Sequence, residues 1–212
     1  GDNIAAPSNQ TPWYAGPALM EYLEAVEIDE GRLAARPFRM PVQWVNRPSQ
    51  DFRGFAGLIA SGTVKPGNRV RCLPSGRISA VQRIVTLDGD LVQASAGQSV
   101  TLELEDEIDC SRGDVLAAAE APCEVADQFE STIVWMADEP LLAGRPYWLK
   151  TGAKTVAVQI TDIKHKVNVN SLEEIAGKTL ELNEIGVCNL SLDQSIPFES
   201  YAENRDLGSF IL

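Results

Sequence analysis

Between Phe52 and Ala119, turn signals recur at short intervals: Lys65-Pro66-Gly67, Pro74-Ser75-Gly76, Asp88-Gly89 and Arg112-Gly113-Asp114. Proline presets a turn dihedral and lacks an N–H, and glycine reaches positive φ, so these groups end regular elements. The apolar segments between them are too short for stable helices and alternate in character. Val100, Leu102 and Leu104 are separated by Thr101 and Glu103, the period-2 pattern of a half-buried strand. Phe38, Met40, Val42 and Trp44 alternate in the same way. Further strands are expected near 53–61, 69–73, 77–86 and 98–104. Many short strands with turns between them predict a closed barrel, which leaves no exposed sheet edge.

A second β pattern follows a boundary at Glu120-Ala121-Pro122. Phe129, Ile133 and Trp135 fall in one strand, Tyr147 to Leu149 in the next, and Val156, Val158, Ile160 and Ile163 in a third. Leu180 to Leu182 and Val187 to Leu192 complete a barrel-like set. Residues 1–32 differ. There Pro17 suits the first turn of a helix, Leu19, Leu23 and Val26 repeat at helical spacing, and Gly31 is the expected stop. Trp13 and Tyr14 are placed to pack back on that helix, and Ala34-Ala35-Arg36-Pro37 reads as a linker. The expected organisation is 1–32, one helix; 33–119, a first barrel; 120–212, a second.

Composition excludes some functions. The 212 residues carry a net charge of −12 with only 18 Lys and Arg, which opposes binding to nucleic acid. No apolar run approaches the ~20 residues of a membrane helix, and no targeting leader is evident. Cys72, Cys110, Cys123 and Cys188 show no C-x-x-C spacing, and the single His165 has no Cys or His near it in sequence. That is outside the usual local zinc patterns. Buried, reduced thiols in a cytoplasmic protein are expected. The four tryptophans are expected mostly in cores, an exposed one marking an interface candidate.

Several blocks carry a resemblance. Residues 12–28, PWYAGPALMEYLEAVEI, resemble the end of the GTPase domain in elongation-factor-like proteins, and residues 52–119 resemble the second-domain barrel of translational GTPases. VNRPSQDFRGFAGLIASGTVKPG at 45–67 is narrower, and is similar to the large, GTP-hydrolysing subunit of bacterial heterodimeric sulfate adenylyltransferase. VWMADEPL at 134–141, LELNEIG at 180–186 and YAENRDLGSFIL at 201–212 fit the third domain of that subunit. The resemblance implies a mainly β fold: a short helical remnant of a GTPase domain, then two translation-factor-type β-barrels. It implies a parent that binds GTP and Mg, and a small catalytic partner subunit that makes adenosine 5′-phosphosulfate in sulfate assimilation. Some large subunits are fused to an adenylylsulfate kinase, and nothing in this chain points to that fusion. The family continues beyond residue 212 by at least one strand, so an open edge is expected there.

The chain departs from a working GTPase. Gly177-Lys178-Thr179 has the end of a phosphate loop, but Leu172 stands where the first glycine is needed, so a turn entering a strand is expected. Asp51-Phe52-Arg53-Gly54 matches D-x-x-G yet lies where the family opens its second domain, and no N-K-x-D occurs. No catalytic, nucleotide or metal residue is therefore expected in the chain, which on its own should be inactive. Arg47, Asp51 and Arg53 lie around the family-specific block and are the candidate coupling or contact residues, against a purely structural role in shaping the barrel entry. The acidic run Glu103 to Asp109 and the basic spot Lys164-His165-Lys166 read first as solvated surface. The alternative from another class is a tRNA- or ribosome-binding module of a translation factor, which a basic stripe on the surface would support.

Overall fold

The computed structural model describes residues 1–26, 30–49 and 51–212. They form two compact units, Gly1–Arg32 and Leu33–Leu212.

In the first unit, α1 spans Leu19–Ala25. Its N-cap is Ala18, so Pro17 lies one residue ahead of the cap rather than in the first turn. The reason is tertiary. The first N–H groups, those of Leu19 and Met20, donate to the carbonyls of Asn3 and Ile4 at 2.8 and 2.9 Å, so the preceding chain caps the helix. The expected apolar stripe is exposed, with Leu19, Leu23 and Val26 at 48%, 56% and 42%. Tyr14 bonds the Pro17 carbonyl through its hydroxyl, while Trp13 stays exposed. Gly31 does not end a helix but lies inside α2, Glu30–Ala34. Glu27 and Ile28, the end of the expected helix, lie outside the described residues.

In the second unit the first ten strands are β1 (Arg39–Pro41), β2 (Trp44–Ser49), β3 (Phe52–Leu58), β4 (Thr63–Val64), β5 (Arg69–Leu73), β6 (Ile78–Thr86), β7 (Gly89–Leu91), β8 (Ala94–Ser95), β9 (Ser99–Leu104) and β10 (Val115–Ala118). All pairings are antiparallel, in the order β1-β10-β5-β6-β9-β3-β2. The chain beyond β3 closes the ring: Arg39 donates to Ser61 O and accepts from Ala60 N, both at 2.9 Å. Gly62 makes that closure possible. Its φ is +78°, and a Cβ would lie 2.4 Å from the backbone of Phe38. The interior takes Met40, Phe55, Ile84 and Leu102, all fully buried. Trp44 departs from its expected alternation and is 64% exposed, because the strand is interrupted at Val42 and Gln43 between β1 and β2.

The remaining strands are β11 (Glu124–Val134), β12 (Leu141–Leu142), β13 (Pro146–Thr151), β14 (Lys154–Val167), β15 (Glu174–Ile175), β16 (Thr179–Leu180) and β17 (Ile185–Phe198). The main sheet runs β11-β17-β14-β13, with β15 beside β14, and β12 pairs with β16. Ile211 bridges the free side of β13 at Lys150 through two hydrogen bonds of 2.8 and 2.9 Å. Among the described residues, β11 pairs only with β17. This half has its own core around Leu141, Ile160, Leu180 and Leu190. Trp135 is buried there, edge-on to Tyr147, with its indole N–H donated to Glu139 O at 2.7 Å. It is the exception: Trp13, Trp44 and Trp148 are 79%, 64% and 69% exposed, contrary to the expectation of core tryptophans.

The two β halves are keyed together. The short helix α3 (Arg205–Gly208) is capped by the Asn204 carboxamide oxygen and places Leu207 in a small apolar cluster with Leu73, Val115, Ala117 and Cys123. Beside it, the buried Arg39 guanidinium meets Glu199 at 2.7 Å, and Asn204 Nδ2 donates to the other Glu199 oxygen at 3.0 Å. No helix among the described residues is long and apolar enough to cross a membrane.

Candidate functional site

Arg47 sits on β2 and Arg53 on β3, and antiparallel pairing sets these strands side by side. Both side chains reach the same segment, the loop from Glu105 to Asp114 that joins β9 to β10. Arg47 Nη2 meets Glu107 Oε1 at 2.8 Å, with both groups more than half exposed. Arg53 is held more deeply. Its Nη1 donates to Ile108 O at 3.0 Å and Nη2 to Cys110 O at 3.1 Å, and its guanidinium lies 5.2 Å from the Phe55 ring centroid. Arg53 therefore pins the loop, and Arg47 tethers its outer side with a pair that solvent screens. Asp51 is exposed at the start of the β3 hairpin, and its carboxylate has no hydrogen bond or ion pair among the described residues.

The acidic run is divided by this geometry. Glu103 is only 13% exposed and bonds Arg83, which also holds Asp90 in a fork of 2.7 and 3.1 Å. Hydrogen bonding to Arg83 pulls the Asp90 carboxyl below its ordinary range. Asp106 shares a reciprocal pair with Ser79 at 2.9 and 3.0 Å. Likewise the basic spot is neutralised by position: Lys164 pairs with Glu130, Lys166 with Glu184, and His165 lies 3.6 Å from Glu174. These side chains form no basic stripe. Gly177 and Lys178 lead into strand β16 rather than a helix, the wrong context for a phosphate loop.

The same loop takes part in a grouping that residue spacing does not reveal. Cys72 on β5, Cys110 in the loop and Asp114 just before β10 each place one ligand-type atom within 4.8 Å of the others. The pairing of β10 with β5, with Leu116 opposite Cys72, brings them together. Both cysteines are fully buried. A thiol hydrogen bond between them holds the Cys72 thiol below its ordinary range and, with burial, pushes Cys110 up. Cys123 and Cys188 are isolated from this pair, and burial pushes each to about 11.

Comparison with known proteins places the chain. The GTP-eEF1A C-terminal domain-like family matches residues 128–212. The chain is 53% identical over 212 residues to the bifunctional enzyme CysN/CysC of Xylella fastidiosa, covering all of this chain and 34% of that protein. It is 48% identical over 213 residues to sulfate adenylyltransferase subunit 1 of Laribacter hongkongensis, covering all of this chain and 44% of that protein. Among solved structures, Sup35 complexed with GMPPNP aligns over 99% of this chain and 52% of its own, with a TM-score of 0.77 and 20% identity. Translation elongation factor SelB from Methanococcus maripaludis, in its apo form, aligns over 85% and 39%, with a TM-score of 0.64 and 20% identity. Those two likenesses establish translation-factor-type β domains. The chain spans between a third and a half of the length of the curated relatives it matches. With about half its residues identical along its whole length, the chain is a close homologue of part of sulfate adenylyltransferase subunit 1 and of its bifunctional relatives.

Proposed function

We propose that this chain is the coupling part of the GTPase subunit of a heterodimeric sulfate adenylyltransferase. In the parent, a nucleotide domain binds and hydrolyses GTP with magnesium, and a small partner subunit joins ATP and sulfate. A sulfate oxygen attacks the α-phosphorus, the bond to the β-phosphate oxygen breaks, and adenosine 5′-phosphosulfate and pyrophosphate form. The observation that carries this reading is 48% identity, over the entire chain, to a sulfate adenylyltransferase subunit 1. The name of that relative implies a second subunit.

The role of the chain in this reading is mechanical, and no residue of it touches a reacting atom. A relay must move as a body rather than absorb displacement. The join of the two β halves supports that, since the Arg39–Glu199 pair is buried and Leu207 is seated in an apolar cluster. Arg47 and Asp51 form an exposed edge able to exchange partners between nucleotide states, while Arg53 positions the loop behind them.

The test uses the full-length parent with its small subunit, assayed for adenylylsulfate synthesis with and without GTP. Arg47→Ala combined with Asp51→Ala is expected to cut GTP stimulation at least about 5-fold, with unstimulated synthesis and thermal stability unchanged. Unaltered stimulation removes this edge from the coupling path. Absence of synthesis, with retention of tRNA or ribosomes, moves the chain to the translation-factor class.

A further inference from the structure

The Cys72, Cys110 and Asp114 cluster belongs neither to the coupling edge nor to a nucleotide site, and its geometry is that of a ligand set. The two Sγ atoms and a carboxylate oxygen all lie within 4.8 Å of one another. Cys72 Sγ stands 3.9 Å from Asp114 Oδ2. A tetrahedral zinc ion with bonds of ~2.3 Å to sulfur and ~2.1 Å to oxygen sets its ligand atoms about 3.6–3.8 Å apart. The edge between Cys72 and Asp114 therefore needs a movement of only a few tenths of an ångström to receive such an ion.

The surrounding groups hold this set in place. Ser111 N–H donates to Asp114 Oδ2 at 2.8 Å, orienting the carboxylate. Arg53 fixes the Cys110 carbonyl at 3.1 Å. Ser75 Oγ reaches both the Cys72 and the Asp109 carbonyls, at 3.3 and 3.2 Å, tying the two ligand-bearing turns together. Such outer contacts are what keep a metal site's ligands aimed. Charge is also compensated: two thiolates and a carboxylate carry −3, which a divalent ion and the Arg53 guanidinium on the Cys110 carbonyl offset, and Lys154 Nζ, 3.8 Å from Asp114 Oδ1, adds one further positive charge. The cysteines are fully buried, whereas the Asp114 carboxylate is 13% exposed, which gives an ion its way in.

We propose that Cys72, Cys110 and Asp114 bind one thiophilic divalent cation of the zinc class, with water at the fourth position. Paired sulfur ligands exclude magnesium and calcium, which demand oxygen. Binding replaces two thiol protons with two metal–sulfur bonds and leaves the oxidation state of every atom unchanged. The ion joins β5 to the β9–β10 loop, so it stiffens the segment that Arg47 and Arg53 also hold.

The experiment is a titration of the full chain, kept reduced and freed of metal by chelation, with cobalt(II) as a spectroscopic probe and zinc(II) as competitor. One equivalent of cobalt is expected to produce thiolate-to-metal charge-transfer and visible tetrahedral bands, and zinc to abolish them. Cys72→Val and Cys110→Val should each weaken binding at least about 100-fold, and Asp114→Asn about 10-fold or more. A variant with both Cys123→Ala and Cys188→Ala should bind as the natural chain does. Melting temperature without metal shows whether each variant folds, and the full gain in melting temperature from zinc should appear in the natural chain and the Cys123/Cys188 variant, with a smaller gain in the ligand variants. Absence of the bands, equal binding by folded Cys72→Val, or loss of binding in the Cys123/Cys188 variant each overturns the proposal.

Discussion

At the scale of single residues, a few positions bear constraints that no neighbour can share. Gly62 is one. Its positive φ disfavours any side chain, and a Cβ there meets backbone of Phe38 at 2.4 Å and Arg36 O at 2.7 Å rather than a movable side-chain tip. Gly62→Ala should lower stability by at least about 2 kcal/mol, from left-handed strain together with overpacking. Gly89, with φ +118° and open space around its Cβ position, supplies the contrast: Gly89→Ala carries the strain without the clash. Chemical denaturation of both variants checks this, and equal losses would show that backbone strain alone accounts for Gly62. Turn signals in the sequence located Gly67, Gly76, Gly89 and Gly113. Gly62 was not among them, because its need arises from a chain segment more than twenty residues away.

At the scale of elements, the β9–β10 loop is the informative case. Arg53 and Arg47 look alike in the sequence, two arginines near one motif. The structure separates them by depth. Arg53 satisfies two carbonyls of the loop, whereas Arg47 makes one exposed pair. Arg53→Leu should cost about 2–3 kcal/mol and speed amide exchange across residues 105–114, because charged hydrogen bonds to carbonyls are lost. Arg47→Ala should stay within about 0.5 kcal/mol. Hydrogen exchange and denaturant melts decide this, and similar effects from the two variants would contradict the assigned roles. Strand positions were largely legible, since β5, β6 and β9 fall where turn spacing and alternation put them. Capping of α1 and the fate of Gly31 were not, because the N–H partners of the helix come from Asn3 and Ile4 rather than from a local cap. The candidate site was legible only as a neighbourhood: the block around Arg47 to Arg53 was visible, but the loop on which it acts was not.

At the scale of the whole β unit, the join between the two cores decides whether they act as one body. Glu199 answers a buried arginine there. Glu199→Ala leaves Arg39, 4% exposed, without its counter-charge. The expected loss is about 3–5 kcal/mol, from an uncompensated buried charge. Double substitution of Arg39 and Glu199 by apolar residues should recover much of it. Calorimetry measures both, and a small loss in the single variant would mean that the join is not held by this pair. The amino-acid sequence alone determined the mainly β class, the turn positions, most of the alternating core residues and the family resemblance, because each depends on local dihedral preference, on period or on residue identity. Tertiary structure alone decided the Arg39–Glu199 key, the loop shared by Arg47 and Arg53, the exposure of three tryptophans and the meeting of Cys72, Cys110 and Asp114. Each of those depends on which strands pair and in what register, and pairing brings together residues whose separation along the chain carries no signal of contact.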